Sequence, residues 1–151
     1  MPLKPKQINT FLFFKLPAAY FCGVRLKSID DIICCTSVTH RWINQNPFKS
    51  LFWAVQGMAA ELSTGALVMS YIKESNHGIS MLVANSKATF NKKARGRIIF
   101  TCRDGLLIKE SINRSIETDE AQTRWMKSEG VDEQGDTVSV FEFEWTVKFK
   151  K

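Results

Sequence analysis

Between Ser50 and about Ile72 the chain is apolar on almost every side of a helix and rich in Ala, Leu and Met. This segment limits the fold more than any other. A helix with one apolar stripe can rest on a surface, but one that is apolar all round has to be surrounded. At 1.5 Å per residue it spans about 34 Å, the diameter of a small domain. Gln56 and Glu61 interrupt it, so it is not read as a membrane span. Stepping about 100° per residue places Ala54, Gly57, Glu61, Gly65 and Val68 on one arc with Ser50. Two glycines inside a helix cost about 1 kcal/mol each relative to Ala. They imply close approach by the sheet, by a ligand, or by a twin helix across a dimer axis. A glutamate in such surroundings is either a hydrogen-bonded structural acid or a general base or nucleophile at a pocket floor.

The rest of the chain supplies the wrapping. Residues 22–28 and 32–43 read as strands joined at Asp30-Asp31. Residues 79–90 and 95–103 read as a hairpin turning at Asn91-Lys92-Lys93-Ala94. Asp104 is placed to N-cap a short helix with Ile108, Ile112 and Ile116 four residues apart. Residues 121–131 form a further strand. In the last one Phe141, Phe143, Trp145, Val147 and Phe149 alternate with Glu142, Glu144, Thr146 and Lys148, so one face is buried. Residues 6–20 form an amphipathic lead-in with Ile8, Leu12 and Leu16 at helical spacing, ended by Pro17. The fold class is α+β, a long central helix wrapped by an antiparallel sheet of five to six strands. The 151 residues are read as one domain, with 1–20 as its N-terminal lead-in helix.

Composition narrows the chemistry. There are only two histidines, His40 and His77, and neither has a partner pattern for catalysis or metal binding. The four cysteines, at 22, 34, 35 and 102, lack zinc-knuckle spacing and read as reduced thiols of a cytoplasmic protein. No metal or cofactor is expected. Lys4 and Lys6 precede Phe11-Leu12-Phe13-Phe14, but Lys15 ends that run too early for an export signal. Lys and Arg number 21 against 15 Asp and Glu, a net +6. Lys92, Lys93, Arg95 and Arg97 cluster at one turn, and Lys148, Lys150 and Lys151 close the chain. Arg95 and Arg97 are expected on one strand face, facing an anionic ligand or solvent. With only Phe90 and Phe100 nearby, the cluster makes a poor base-stacking platform, so nucleic acid is not expected as a partner.

Two segments carry a resemblance. Asn46 through Glu61 resembles the start of the central helix in hotdog-fold thioesterases, nearest to the phenylacetyl-CoA thioesterase-like branch and its uncharacterised relatives. There an Asn opens the segment, a His-Gly-Gly follows six residues later, and an Asp or Glu lies nine residues beyond the His. Asn46, Phe52-Trp53-Ala54 and Glu61 fit that spacing, with Phe52 in place of the His and Trp53-Ala54 in place of the Gly pair. Ala88 through Phe100 resembles the segment in which a basic turn and a Gly separate the family's third and fourth strands.

The resemblance implies a hotdog domain that hydrolyses an acyl-CoA thioester at a dimer-interface pocket, as a homodimer or dimer of dimers. Glu61 would be the base or nucleophile, the Trp53 N–H an oxyanion donor, and Asn46 the group that orients water or the carboxylate. Phe52, Ala54 and Gly57 would line the pocket, while Lys92, Lys93, Arg95 and Arg97 would meet the phosphates of coenzyme A. The loss of the His supports an alternative, a non-catalytic acyl or acyl-CoA binding protein on the same fold.

Overall fold

The computed structural model describes residues 3–151. The chain runs α1 (Pro5–Lys15), α2 (Pro17–Phe21), β1 (Arg25–Ile29), β2 (Cys34–Thr39), a 3₁₀ turn (Trp42–Asn44), α3 (Trp53–Ser75), β3 (Ile79–Phe90), β4 (Arg97–Cys102), α4 (Gly105–Thr118), β5 (Gln122–Val131) and β6 (Thr137–Phe149). The strands form one antiparallel sheet in the order β1-β2-β4-β5-β6-β3. This is the expected α+β arrangement, with six strands around one long helix.

Helix α3 starts at Trp53, three residues after the apolar run begins. Residues 46–51 are held in a loop instead, with Leu51 N–H donating to Ala94 O at 2.8 Å and Phe52 N–H to Asn44 O at 2.9 Å. The helix ends at Asn76, which takes a left-handed φ of 57°. Buried polar groups tie it to the sheet as well as apolar contact does. Thr36 Oγ1 donates to Ala59 O at 2.7 Å, and Ser63 Oγ donates to Ser128 Oγ at 2.7 Å. Leu67, Ile98, Phe100, Met126 and Val38 fill the space between helix and sheet. In β6 the alternation holds through Val147, while Phe149 is only partly buried.

Three expectations need correction. Pro17 does not simply end the lead-in helix. It begins α2, because proline suits a first helical turn and its ring blocks continuation of α1. Ile8 and Leu12 are buried, but Leu16 stands outside at the α1–α2 corner. Asp104 precedes α4, yet its carboxylate accepts from Lys127 N–H at 2.8 Å and leaves the helix without a side-chain cap.

Residues 79–90 and 95–103 also do not form a hairpin. β3 lies along β6 at the sheet edge, with Ile79 opposite Phe149 and Phe90 opposite Ser139, whereas β4 sits between β2 and β5. Strand β4 buries Ile98, Phe100 and Cys102 and needs a central place. The exposed end of β3, Ser86-Lys87-Ala88-Thr89, suits an edge. The link between them crosses the end of the sheet. Lys92 Nζ anchors it to Asp132 at 2.7 Å and Asp136 at 2.8 Å, in the β5–β6 turn.

The two sheet edges differ. At β1 the edge backbone is met by α1, where Asn9 accepts from Leu26 N–H at 2.8 Å and donates to Leu26 O at 3.1 Å. Strand β3 is twelve residues long and leaves its outer edge open.

Candidate active site

The loop before α3 is built by Asn46. Its Oδ1 accepts from Phe48 N–H at 2.9 Å and from Ser50 N–H at 3.2 Å, and its Nδ2 donates to Ser50 Oγ at 2.9 Å. These bonds turn residues 46–50 back so that the chain enters α3 at Phe52 and Trp53. Phe52 sits at the cap position without a side-chain cap, and among the described residues the N–H groups of Trp53 and Ala54 meet no acceptor. The first turn of α3 therefore presents two free backbone donors at the positive end of the helix dipole.

Trp53 borders an open depression of about 480 Å³ between the 46–53 segment and the 90–94 link, and Ala54 lies just outside it. Phe48, Phe52, Trp53 and Phe90 make its walls mainly apolar, and Asn46, Gln56 and Lys93 add polar atoms. Trp53 is 59% exposed and packs edge-on against Phe52 with ring centres 6.0 Å apart, so its indole stands at the rim and leaves the depression open. Gln56 was not singled out from sequence as a site residue. It is buried, donates to Leu51 O at 3.3 Å and accepts from Ser139 Oγ at 2.7 Å, locking the first turn of α3 to β6. Its presence in an otherwise apolar helix was the available signal.

Glu61 lies eight residues beyond Trp53, about 12 Å further along the axis. It shares a helical face with Gly57 and Gly65. A Cβ on Gly57 would come 3.5 Å from the Phe141 ring, and one on Gly65 would come 3.2 Å from Trp145. The glycines thus let α3 lie close on β6, and the protein's own sheet accounts for them. Glu61 stands between them along the helix. Its side chain reaches the surface, yet the protein around it raises its carboxyl pKa by desolvation, with no charge or hydrogen bond opposing that shift. Surface exposure describes the outer carboxylate face, and the raised pKa describes how little water surrounds the rest.

The basic residues are unequal. Lys92 is committed to Asp132 and Asp136, which raise its pKa, while Lys92 in turn lowers that of Asp132. Lys93 stays exposed, 5.9 Å over the Phe48 ring. Arg95 donates to Lys49 O at 3.3 Å and lies in the link before the strand. Gly96 then takes φ 70° and turns the chain, so Arg95 and Arg97 do not share a strand face. Arg97 N–H donates to Glu133 at 2.7 Å. The geometry brings together Asn46, Phe52, Trp53, Lys92 and Lys93, and places Glu61, Ala54, Gly57, Arg95 and Arg97 outside that depression. Among the described residues no cluster of His, Cys, Asp and Glu could hold a metal ion.

The sequence of residues 6–147 matches DUF4442, a domain of unknown function. The chain belongs to the DUF4442 family. No curated protein matches it. Among solved structures, this DUF4442 protein is similar to a Pseudomonas aeruginosa protein of unknown function named "Probable Thioesterase". The TM-score is 0.80 at 20% identity, with 99% of each chain covered. It is also similar to a Chlorobaculum tepidum protein of unknown function, with a TM-score of 0.81, 15% identity and 98% of each chain covered. A thioesterase from Haemophilus influenzae gives a TM-score of 0.72 at 10% identity, with 99% of this chain and 93% of that one covered. At these identities the likeness establishes the fold, which is the hotdog fold of thioesterase-like proteins.

Proposed function

We propose that this DUF4442 protein hydrolyses an acyl-CoA thioester. The observation that carries the reading is the pairing, on one helix, of two free N–H donors, that of Trp53 at a mainly apolar depression and that of Ala54 beside it, with an unpartnered carboxylate of raised pKa. The donors of Trp53 and Ala54 would hold the thioester oxygen as negative charge develops on it. Glu61 would activate water or attack the carbonyl carbon. Within one chain the two are about 12 Å apart along the helix, too far to act on one carbonyl. A second copy supplies the missing half of the site. Antiparallel pairing of two β3 edges about a two-fold axis would place both α3 helices on the same face of a continuous sheet, running in opposite directions. In this arrangement each Glu61 would face the other protomer. The chain needs no cofactor in this scheme, and coenzyme A enters as part of the substrate, with exposed Lys93 and Arg95 near its phosphates. Four free thiols fit a reducing, cytoplasmic setting.

One observation favours a second reading. Phe52 stands where the hotdog thioesterases that the sequence resembles carry a histidine, and Asn46 spends its amide on the loop. A chain of this kind could bind acyl-CoA without turning it over. Thiol release from a panel of acyl-CoAs, measured with saturation binding on the same preparation, separates the two. Turnover supports the hydrolase, and binding without turnover supports the carrier.

A further inference from the structure

The first 29 residues hold five basic side chains, Lys4, Lys6, Lys15, Arg25 and Lys27, and no acidic one. The other 122 residues hold sixteen basic and fifteen acidic side chains, so nearly all of the net +6 sits in this N-terminal part. The fold also leaves a large apolar group uncovered there. Helix α1 buries Ile8 and Leu12 against the core, yet Phe13 is 44% exposed and Phe14 is 71% exposed on its outer side. Leu16 stands at the corner and Phe21 is 60% exposed on α2. The Phe13 ring lies 5.0 Å from Phe14, 5.1 Å from Tyr20 and 6.2 Å from Phe21, so these rings form one continuous patch. Trp42 and Ile43 are exposed as well, on the 3₁₀ turn whose Asn44 donates to Cys22 O just past the end of α2.

We infer that the α1–α2 corner is a docking surface for an anionic lipid bilayer. A projecting apolar patch flanked by lysines is the chemistry of an interfacial anchor, with rings entering the acyl boundary and ammonium groups meeting lipid phosphates. Beside the rings lies a shallow depression between Lys6 and Arg25, floored by Asn9, Thr10 and Tyr20, which suits a phosphate headgroup. Arg25 is fixed there, with its guanidinium carbon 3.7 Å from the Tyr20 ring centre and Nη1 donating to Tyr20 O at 2.8 Å. The nearest acidic residue in sequence, Asp30, lies at the far end of β1, about 16 Å from Arg25 at strand spacing.

The alternatives fit less well. A second copy docked through this corner would set five cations against five. Single-stranded nucleic acid needs open ring faces for stacking, and here Phe13 meets Phe14 and Tyr20 nearly at right angles, 88° and 83°. The inference is independent of the thioesterase reading.

The test is flotation of the full chain with vesicles of phosphatidylcholine alone and of equal parts phosphatidylcholine and phosphatidylglycerol, at low and high salt. The expected result is at least tenfold stronger recovery with the anionic vesicles, weakened by salt. A Phe14→Ser/Phe21→Ser variant with an unchanged melting curve should lose at least tenfold of that recovery. Lys6→Gln/Lys15→Gln should remove most of the preference for anionic lipid, at roughly fivefold per lysine. Three results would overturn the inference. One is no flotation with either vesicle. Another is full recovery of the Phe variant, which would mean charge attraction alone. The third is tighter binding to single-stranded oligonucleotide than to vesicles.

Discussion

At the scale of single residues, Glu61 is the group on which the proposed mechanism depends. Burial raises its carboxyl pKa above the ordinary 4.5, so the folded protein holds that proton more tightly than the unfolded chain. The sign of the linkage follows. Between the unfolded and folded pKa values the native state binds more protons, so this group's contribution to stability falls as pH rises through that window. At pH 7 the ionised Glu61 is a burden that Gln would not carry. Glu61→Gln should therefore raise the melting temperature at pH 7, with the gain shrinking toward pH 4, where the native carboxyl is neutral; thermal melts across that range check this. Turnover should move the opposite way. A base must be ionised, so the acid limb of kcat/KM should have its midpoint above 4.5 and should vanish in Glu61→Gln. Asn46 is a different case. It was expected at the site and it borders the depression, but its bonds to Phe48 and Ser50 make it the builder of the loop. Its number was readable from sequence, whereas the use of its amide depended on a turn that only the folded chain displays.

At the scale of elements, the glycines of α3 give a paired prediction. Both positions gain about 1 kcal/mol of helix propensity on replacement by Ala. At Gly57 the new methyl would sit 3.5 Å from Phe141, an ordinary contact, so Gly57→Ala should stabilise by up to about 1 kcal/mol. At Gly65 it would press to 3.2 Å on Trp145, whose Nε1 is held to Thr64 Oγ1 at 2.8 Å and cannot easily give way. Overpacking costs about 1–3 kcal/mol, so Gly65→Ala should be neutral to destabilising by about 2 kcal/mol. Urea midpoints of the two variants should shift in opposite directions or differ clearly. The helix itself and β6 were legible in sequence, because all-round apolarity and strict alternation are local patterns. The pairing of β3 was not. Adjacent strand-like segments with a basic link resemble a hairpin, and only competition for central and edge positions sends one to β6 and the other to β2 and β5.

At the scale of the molecule, the two edges of the sheet set the expected assembly. Asn9 satisfies edge backbone at β1, while β3 offers twelve residues of open edge. Light scattering should return at least twice the 17.2 kDa protomer mass. Dilution that produces monomer should lower specific activity in parallel, since in the proposed arrangement each site draws on two copies. Charge was only partly legible. The cluster at residues 92–97 was visible, but Lys92 is neutralised by Asp132 and Asp136, and Lys148 and Lys151 meet Asp119 at 3.3 and 2.9 Å. The net excess of charge is N-terminal, and pairing over such sequence distances is invisible before folding.

The most direct measurement is thiol release from an acyl-CoA panel by the wild-type protein and by Glu61→Gln, with oligomer mass and melting temperature recorded on both. A carboxylate mechanism predicts turnover of at least one acyl-CoA by the wild type. It also predicts a loss of at least about a hundredfold in the variant, whose mass is unchanged and whose melting temperature is not lowered. Equal turnover by the two proteins would contradict it.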